Sequence, residues 1–383
     1  MISLKQRHTV RLSLASLWLL LYLWNTLIYI FPALFNRISE AQTWVLSGLL
    51  AVIMLFSELR GGRRVSTRFV VVLLGTVAVI VFFALRQFGA GLYMLPVYSL
   101  LFLYEFRYVS WQRREERTMC VFCALIYVSM LYQTYRVYRG DWTRTTSYSK
   151  NTIAEMLFLC TALIFLFLYQ NRDLRVRLLL AGMFVLTAVG ILNLHCRAAL
   201  ICLVLFLLFH LFRLARKRPG VLFGLAVVLC VAGTLMPVLY ISLFNEVGLG
   251  WLNVLGKDLF TGREYIWRLN FSALTSSPMT LLFGTPRQFH YAIDNNLHNL
   301  YLFILVRGGL VGMAAYWSIF LAAFRKCTLG LDPTGASHGY AYLALSILLY
   351  GFFEVSYLWN IFLPFGLLPF LVLSARANTY GKE

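Results

Sequence analysis

The chain has 383 residues, of which 60% are apolar, 16% aromatic and only 13% charged, with a formal charge of +19. This balance lies far outside the range of soluble globular proteins, and the apolar residues come in long unbroken runs. A water-soluble enzyme is excluded, and the basic excess falls between apolar runs in a pattern that implies no nucleic-acid partner.

A bilayer core of about 30 Å takes roughly 20 apolar residues as a helix. Runs of that length, or shorter ones extendable through aromatic flanks, occur at 12–33, 43–58, 69–85, 91–106, 119–135, 152–170, 178–195, 198–213, 221–243, 298–324, 339–357 and 359–375. The sequence therefore predicts an all-α polytopic membrane protein of about twelve transmembrane helices, in one membrane domain over 1–383. The first run is long and has no small-residue cleavage site, so it is expected to stay as a helix.

Basic residues favour cytoplasmic loops. With the N-terminus inside, Arg60, Arg63 and Arg64, then "RYVSWQRREER", "NRDLRVR", "RLARKRP" and Arg325 all fall on the cytoplasmic side. An even helix count returns the C-terminus there, where Arg376 and Lys382 agree. The charge is thus a topology signal first, and it also favours anionic membrane lipids. Six of the seven cysteines lie in or beside predicted helices, which argues against a disulfide framework. "CVFC", Cys120 to Cys123, has redox-motif spacing but reads better as small apolar residues opening a helix. The six dispersed histidines give no paired ligand spacing, so neither a structural metal nor a cofactor is expected.

Most connections are short, with two exceptions on the predicted outer face. One is 136–151; the other is 244–297, between the ninth and tenth spans. Long loops in compact proteins usually carry function. Within the second, "TGREYIWRLNFSALTSSP" predicts an amphipathic helix lying near the membrane surface, whose apolar face gathers Tyr265, Ile266, Leu269 and Ala273, ended by Pro278. A Gly/Pro-punctuated stretch then delivers the chain to His298.

The outer-face cations are candidates for chemistry. Arg197 sits at the junction of the seventh and eighth spans, where it either snorkels to headgroups or serves an anion site inside the bundle. Arg263 and Arg268, five residues apart, fall about 140° apart on a helix, so at most one faces a shared cavity. The bland reading of Arg263 is a surface pair with Glu264. Arg287 follows "GTP" in the returning loop and is the weakest candidate. His298 closes the set: alone it reads as a helix cap, but beside arginines it suits chemistry in which an anion departs and a hydroxyl needs a base.

The stretch His298-Asn299, nine residues, Gly309, two residues, Gly312 resembles the signature of the O-antigen ligase and O-antigen polymerase superfamily of bacterial membrane glycosyltransferases. "TGREYIW" and "HCRAAL" resemble, in order, the arginine element of that family's large outer loop and the arginine opening a mid-chain helix. The likeness is strongest from about Gly190 to Ala315; the first half matches in hydropathy alone. It implies a GT-C-like fold and metal-independent transfer of glycan from a polyprenyl-pyrophosphate-linked oligosaccharide to an acceptor glycolipid. Arg197 and Arg263 would hold pyrophosphate, with Arg287 of the returning loop as a further candidate from its position alone, and His298 would orient or deprotonate the acceptor hydroxyl. Asn299 would fix its ring, and Gly309 and Gly312 would permit close helix packing. A chain-length regulator is a further implied partner.

The span from Arg263 to His298 leaves little room for the periplasmic subdomain typical of ligases, which favours polymerisation of O-antigen or capsular repeat units over transfer to lipid A core. A transporter is the alternative of another class. "SELRGGRRVSTR" faintly resembles a basic carrier loop, but it has no counterpart in the second half, and the long outer loop breaks six-plus-six symmetry.

Overall fold

The computed structural model describes residues 113–141, 149–169, 173–213, 218–247, 253–254, 257–258, 263–286, 297–329 and 338–355. In chain order these form α1 (Arg113–Arg139), α2 (Lys150–Leu168), α3 (Leu174–Asn193), α4 (Arg197–Leu211) and α5 (Pro219–Val247). A two-residue antiparallel pair, β1 (Asn253–Val254) and β2 (Lys257–Asp258), follows. Then come α6 (Arg263–Leu274), α7 (Pro278–Phe283), α8 (Leu300–Leu329) and α9 (His338–Tyr350). Four helices have a stretch long and apolar enough to cross a membrane: Arg117–Arg139, Lys150–Leu168, Leu174–Asn193 and Gly220–Leu243. The described part is a helical membrane protein. The first four expected spans and the twelfth lie outside the described residues, as does Arg287.

Local chemistry sets the helix ends. Ser149 caps α2 by accepting from the Thr152 N–H at 3.2 Å, and Asp173 caps α3 by accepting from the Arg175 N–H at 2.9 Å. The α3–α4 corner turns through His195 in the left-handed region, φ 54°. There the His195 N–H reaches the Leu192 carbonyl at 2.9 Å and the Cys196 N–H that of Ile191 at 3.3 Å. This is the double bond of a Schellman ending, made without the usual glycine, and it fixes Arg197 as the first residue of α4.

The core is built around α2, which packs on α1, α3, α4 and α9, while α9 also lies against α4 and α5. Hydroxyls join three of these helices: Thr161 and Thr187 lie 2.7 Å apart, and the Tyr127 hydroxyl is 3.1 Å from that of Thr187. Such interhelical bonds matter where lipid offers no alternative partner.

The tenth expected span, 298–324, is not one straight helix. Gly309 within α8 has φ 63° and ψ −168°, and the axis breaks there. Tyr301 and Trp317 stack with ring centroids 5.0 Å apart, although a straight helix would separate residues sixteen apart by about 24 Å. The two limbs, on either side of Gly309, therefore turn back towards each other. The first packs against α7, and the junction is a contact of backbones. A Cβ at Gly309 would lie 2.3 Å from the Leu282 carbonyl, and one at Gly284 (φ 85°) 2.3 Å from that of Arg307. Thr285 donates both its N–H (2.9 Å) and its hydroxyl (3.1 Å) to the Val306 carbonyl, in the turn just before the break. Gly312, beyond the break, is partly exposed.

The expected loop helix is present, and its protein-facing side is distinct from the expected apolar stripe. α6 buries Trp267, Asn270 and Leu274, and leaves Tyr265 67% exposed. The protein-facing stripe is thus a second one, set by Trp267, which anchors the helix through its ring nitrogen as well as its area. Pro278 does not simply end α6. It opens α7 behind a reciprocal Ser277–Thr280 capping box, where its missing N–H costs nothing.

Candidate functional site

The site begins with Trp267. Fully buried, it donates its indole N–H to the Leu297 carbonyl at 2.7 Å and meets the Tyr240 ring edge-on at 4.8 Å. With Leu297, Leu302 and Val306 it forms a small apolar cluster apart from the main core. That cluster clamps α6 to the entry of α8. Arg263 is one turn before Trp267 and so projects from the same side of α6; Arg268 is exposed on another.

The entry of α8 is laced to the turn that follows α9. The Leu300 N–H donates to the Gly351 carbonyl at 2.7 Å. Asn299, fully buried, accepts from the Leu302 N–H at 2.7 Å as an N-terminal cap and donates its amide to the Phe352 carbonyl at 3.0 Å. Its side chain therefore fixes the turn, and the His298 ring is held by another group. His298 itself is left-handed, φ 46°, a conformation that a non-glycine residue keeps only where neighbours hold it.

That other group is Glu354, whose side chain is 4% exposed. Its Oε2 lies 3.0 Å from His298 Nδ1. Its Oε1 lies 3.4 Å from an Arg263 guanidinium nitrogen and accepts from the Asn151 amide at the start of α2. The second terminal nitrogen of Arg263 donates to the Phe353 carbonyl at 3.0 Å. The Tyr350 hydroxyl donates to the Asn151 carbonyl at 3.3 Å, tying α9 to α2 beneath the carboxylate. A buried carboxylate is sustained only by such partners. His298 and Arg263 keep side-chain exposures of 26% and 22%, so both remain reachable from the surface.

Arg197 enters from α4. It is half-buried, and Tyr240 lies within electrostatic reach of Arg197, Arg263 and Glu264 together. Arg263, His298 and Asn299 thus meet at one place, and Arg197 lies within electrostatic range of Tyr240. Gly309 stands apart at the α7–α8 junction. Among the described residues no three His, Cys, Asp or Glu side chains form a group able to hold a metal.

Glu354 and Asn151 are absent from the sequence-derived set. A signal existed for the first: it is the lone carboxylate in the apolar run 339–357, and an ionisable residue inside a membrane span marks a functional position by default. Asn151, at the end of a loop, carried none.

The arrangement joins an imidazole whose Nδ1 is held by a carboxylate to guanidinium groups able to grip an anion. The first is able to orient a base and the second to neutralise a departing negative charge. Comparison of the chain with family models, curated proteins and solved structures finds no match.

Proposed function

We propose that the protein is a membrane glycosyltransferase with a GT-C-like fold of about twelve spans. It polymerises polyprenyl-pyrophosphate-linked oligosaccharide repeat units, of O-antigen or capsule type, at the outer face of a bacterial cytoplasmic membrane. One observation carries the reading: Arg263 from the long loop and His298 from the entry of α8 converge on a single buried carboxylate, and both stay partly exposed. The ordered resemblance of "HCRAAL", "TGREYIW" and the His298 to Gly312 stretch supplies the chemical class.

In this mechanism the acceptor sugar hydroxyl gives its proton to His298 Nε2 as its oxygen bonds to C1 of the donor sugar. The C1–oxygen bond to pyrophosphate breaks, and the lipid pyrophosphate leaves with the electron pair. Arg197 and Arg263 hold that charge, with Arg287 of the returning loop as a third candidate cation. Guanidinium is suited to this because it pairs bidentately with phosphate and stays charged.

The test is purified protein with synthetic lipid-linked repeat units and no lipid A core. A ladder of lengthened products is expected. Transfer only when core is supplied would make the protein a ligase, and movement of glycolipid without new glycosidic bonds would make it a transporter. His298→Ala is expected to lower polymerisation by about 10²–10⁴-fold while leaving insertion and donor binding intact. Activity is expected to survive EDTA; loss restored by Mg²⁺ would overturn the arginine clamp.

A further inference from the structure

We infer that Glu354 is the positioning residue of this reaction, a carboxylate that selects the working tautomer of His298 and ties it to the arginine that meets the donor. The inference rests on the proposed glycosyl transfer, and it assigns a role to a residue outside the set of candidates drawn from the sequence motifs.

The two carboxylate oxygens divide their work. Oε2 addresses His298 Nδ1 at 3.0 Å, while Oε1 takes Arg263 and the Asn151 amide. Accepting from Nδ1–H leaves the lone pair on Nε2, the atom that must receive the acceptor proton, and the carboxylate charge then stabilises the imidazolium that results. Its aim is fixed on three sides: by Asn151 of α2, by Arg263 anchored on the Phe353 carbonyl, and by the Leu300–Gly351 and Asn299–Phe352 bonds that hold its own turn. The strained backbone of His298 belongs to the same construction, since a left-handed φ of 46° at the last residue but one before α8 directs the ring across to that turn. A carboxylate present only to neutralise Arg263 would not need its second oxygen on the histidine.

The experiment has two readouts. In the lipid-linked polymerisation assay, Glu354→Gln, His298→Gln and the double variant are compared. Glu354→Gln is expected to lower kcat by about 10²–10⁴-fold with far less change in donor KM, and the double variant to be no worse than His298→Gln alone, as for groups acting as a unit. Multiplying losses, or a loss confined to KM, would overturn the role. Histidine-selective ¹⁵N NMR of the purified protein provides a readout independent of turnover. The wild type is expected to show His298 protonated at Nδ1, and Glu354→Gln to shift or mix the tautomers; an unchanged signal would overturn the role even if polymer forms. If the tautomer behaves as expected but no lipid-linked donor is polymerised, the glycosyl-transfer reading fails while the geometry stands. Glu354→Asp, which withdraws the charge by one methylene, serves both readouts if Gln prevents insertion, and is expected to move them in the same direction.

Discussion

α2 and α3 are consecutive helices of near-equal length and hydropathy, yet 78% of the α2 span is buried against 22% of the α3 span. Apolarity alone did not distinguish them, because lipid and protein interior are equally apolar. Their polar residues did. α2 carries Asn151, Thr152, Glu155 and Thr161 inward, whereas α3 buries only Thr187 among its polar side chains and turns Val185, Leu186 and Val189 outward. The helix that gives Asn151 to the site is the one whose span is mostly buried against protein.

The bluntest way to break this contrast is to shorten one side chain on each helix. Phe158→Ala, at a fully buried position of α2, is expected to cost about 3–5 kcal/mol, and Val185→Ala, 65% exposed on α3, less than about 0.5 kcal/mol. Thermal unfolding in micelles reads both; equal costs would make α3 as interior as α2. Next, Asn151→Ala withdraws a donor from a buried carboxylate, whereas Asn193→Ala alters an exposed residue at the end of α3. The first should slow polymerisation by the equivalent of about 1–3 kcal/mol and the second should not; a matching loss at Asn193 would detach the site from α2.

A finer test is the hydroxyl contact where the two helices meet. Thr161→Val and Thr187→Val, alone and together, should show a coupling of about 0.6–1.7 kcal/mol in a double-mutant cycle. Additive losses would mean that the 2.7 Å contact contributes nothing of its own. The smallest effect concerns two glycines of α3. A Cβ at Gly182 meets nothing within 4 Å, so Gly182→Ala should be neutral or stabilising by up to about 1 kcal/mol through helix propensity. At Gly190 a Cβ would press Leu157 at 3.3 Å, and the same substitution should lose that gain. Identical melting shifts would leave the α2–α3 packing unsupported.

Much of the helical frame was legible because hydropathy reports where water is excluded. The fifth to ninth expected spans coincide with α1 to α5 within a few residues at most ends. What escaped is what hydropathy does not encode. A run of apolar residues reads the same whether the backbone continues or reverses, so 298–324 looked like one span even though Gly308-Gly309 sat in it. The run 339–357 likewise hid the end of α9 at Tyr350, and with it the turn that brings the Phe352 and Phe353 carbonyls and Glu354 to the site. Arg263 and His298 were legible as residue types at loop and helix ends. Their meeting through a carboxylate more than fifty residues away was not, since that is a property of packing.

The contact of Gly284 with Arg307, and of Gly309 with Leu282, has a mechanical meaning. Two backbones pressed together at both points cannot slide past each other, and the Thr285 bonds to Val306 pin them in register. A substrate of the proposed reaction, entering beside Arg263, therefore cannot slide α7 along the first limb of α8. α6 is clamped to the same limb through Trp267, so any opening must swing α6, α7 and the first limb of α8 as one rigid flap, carrying the histidine's backbone with it.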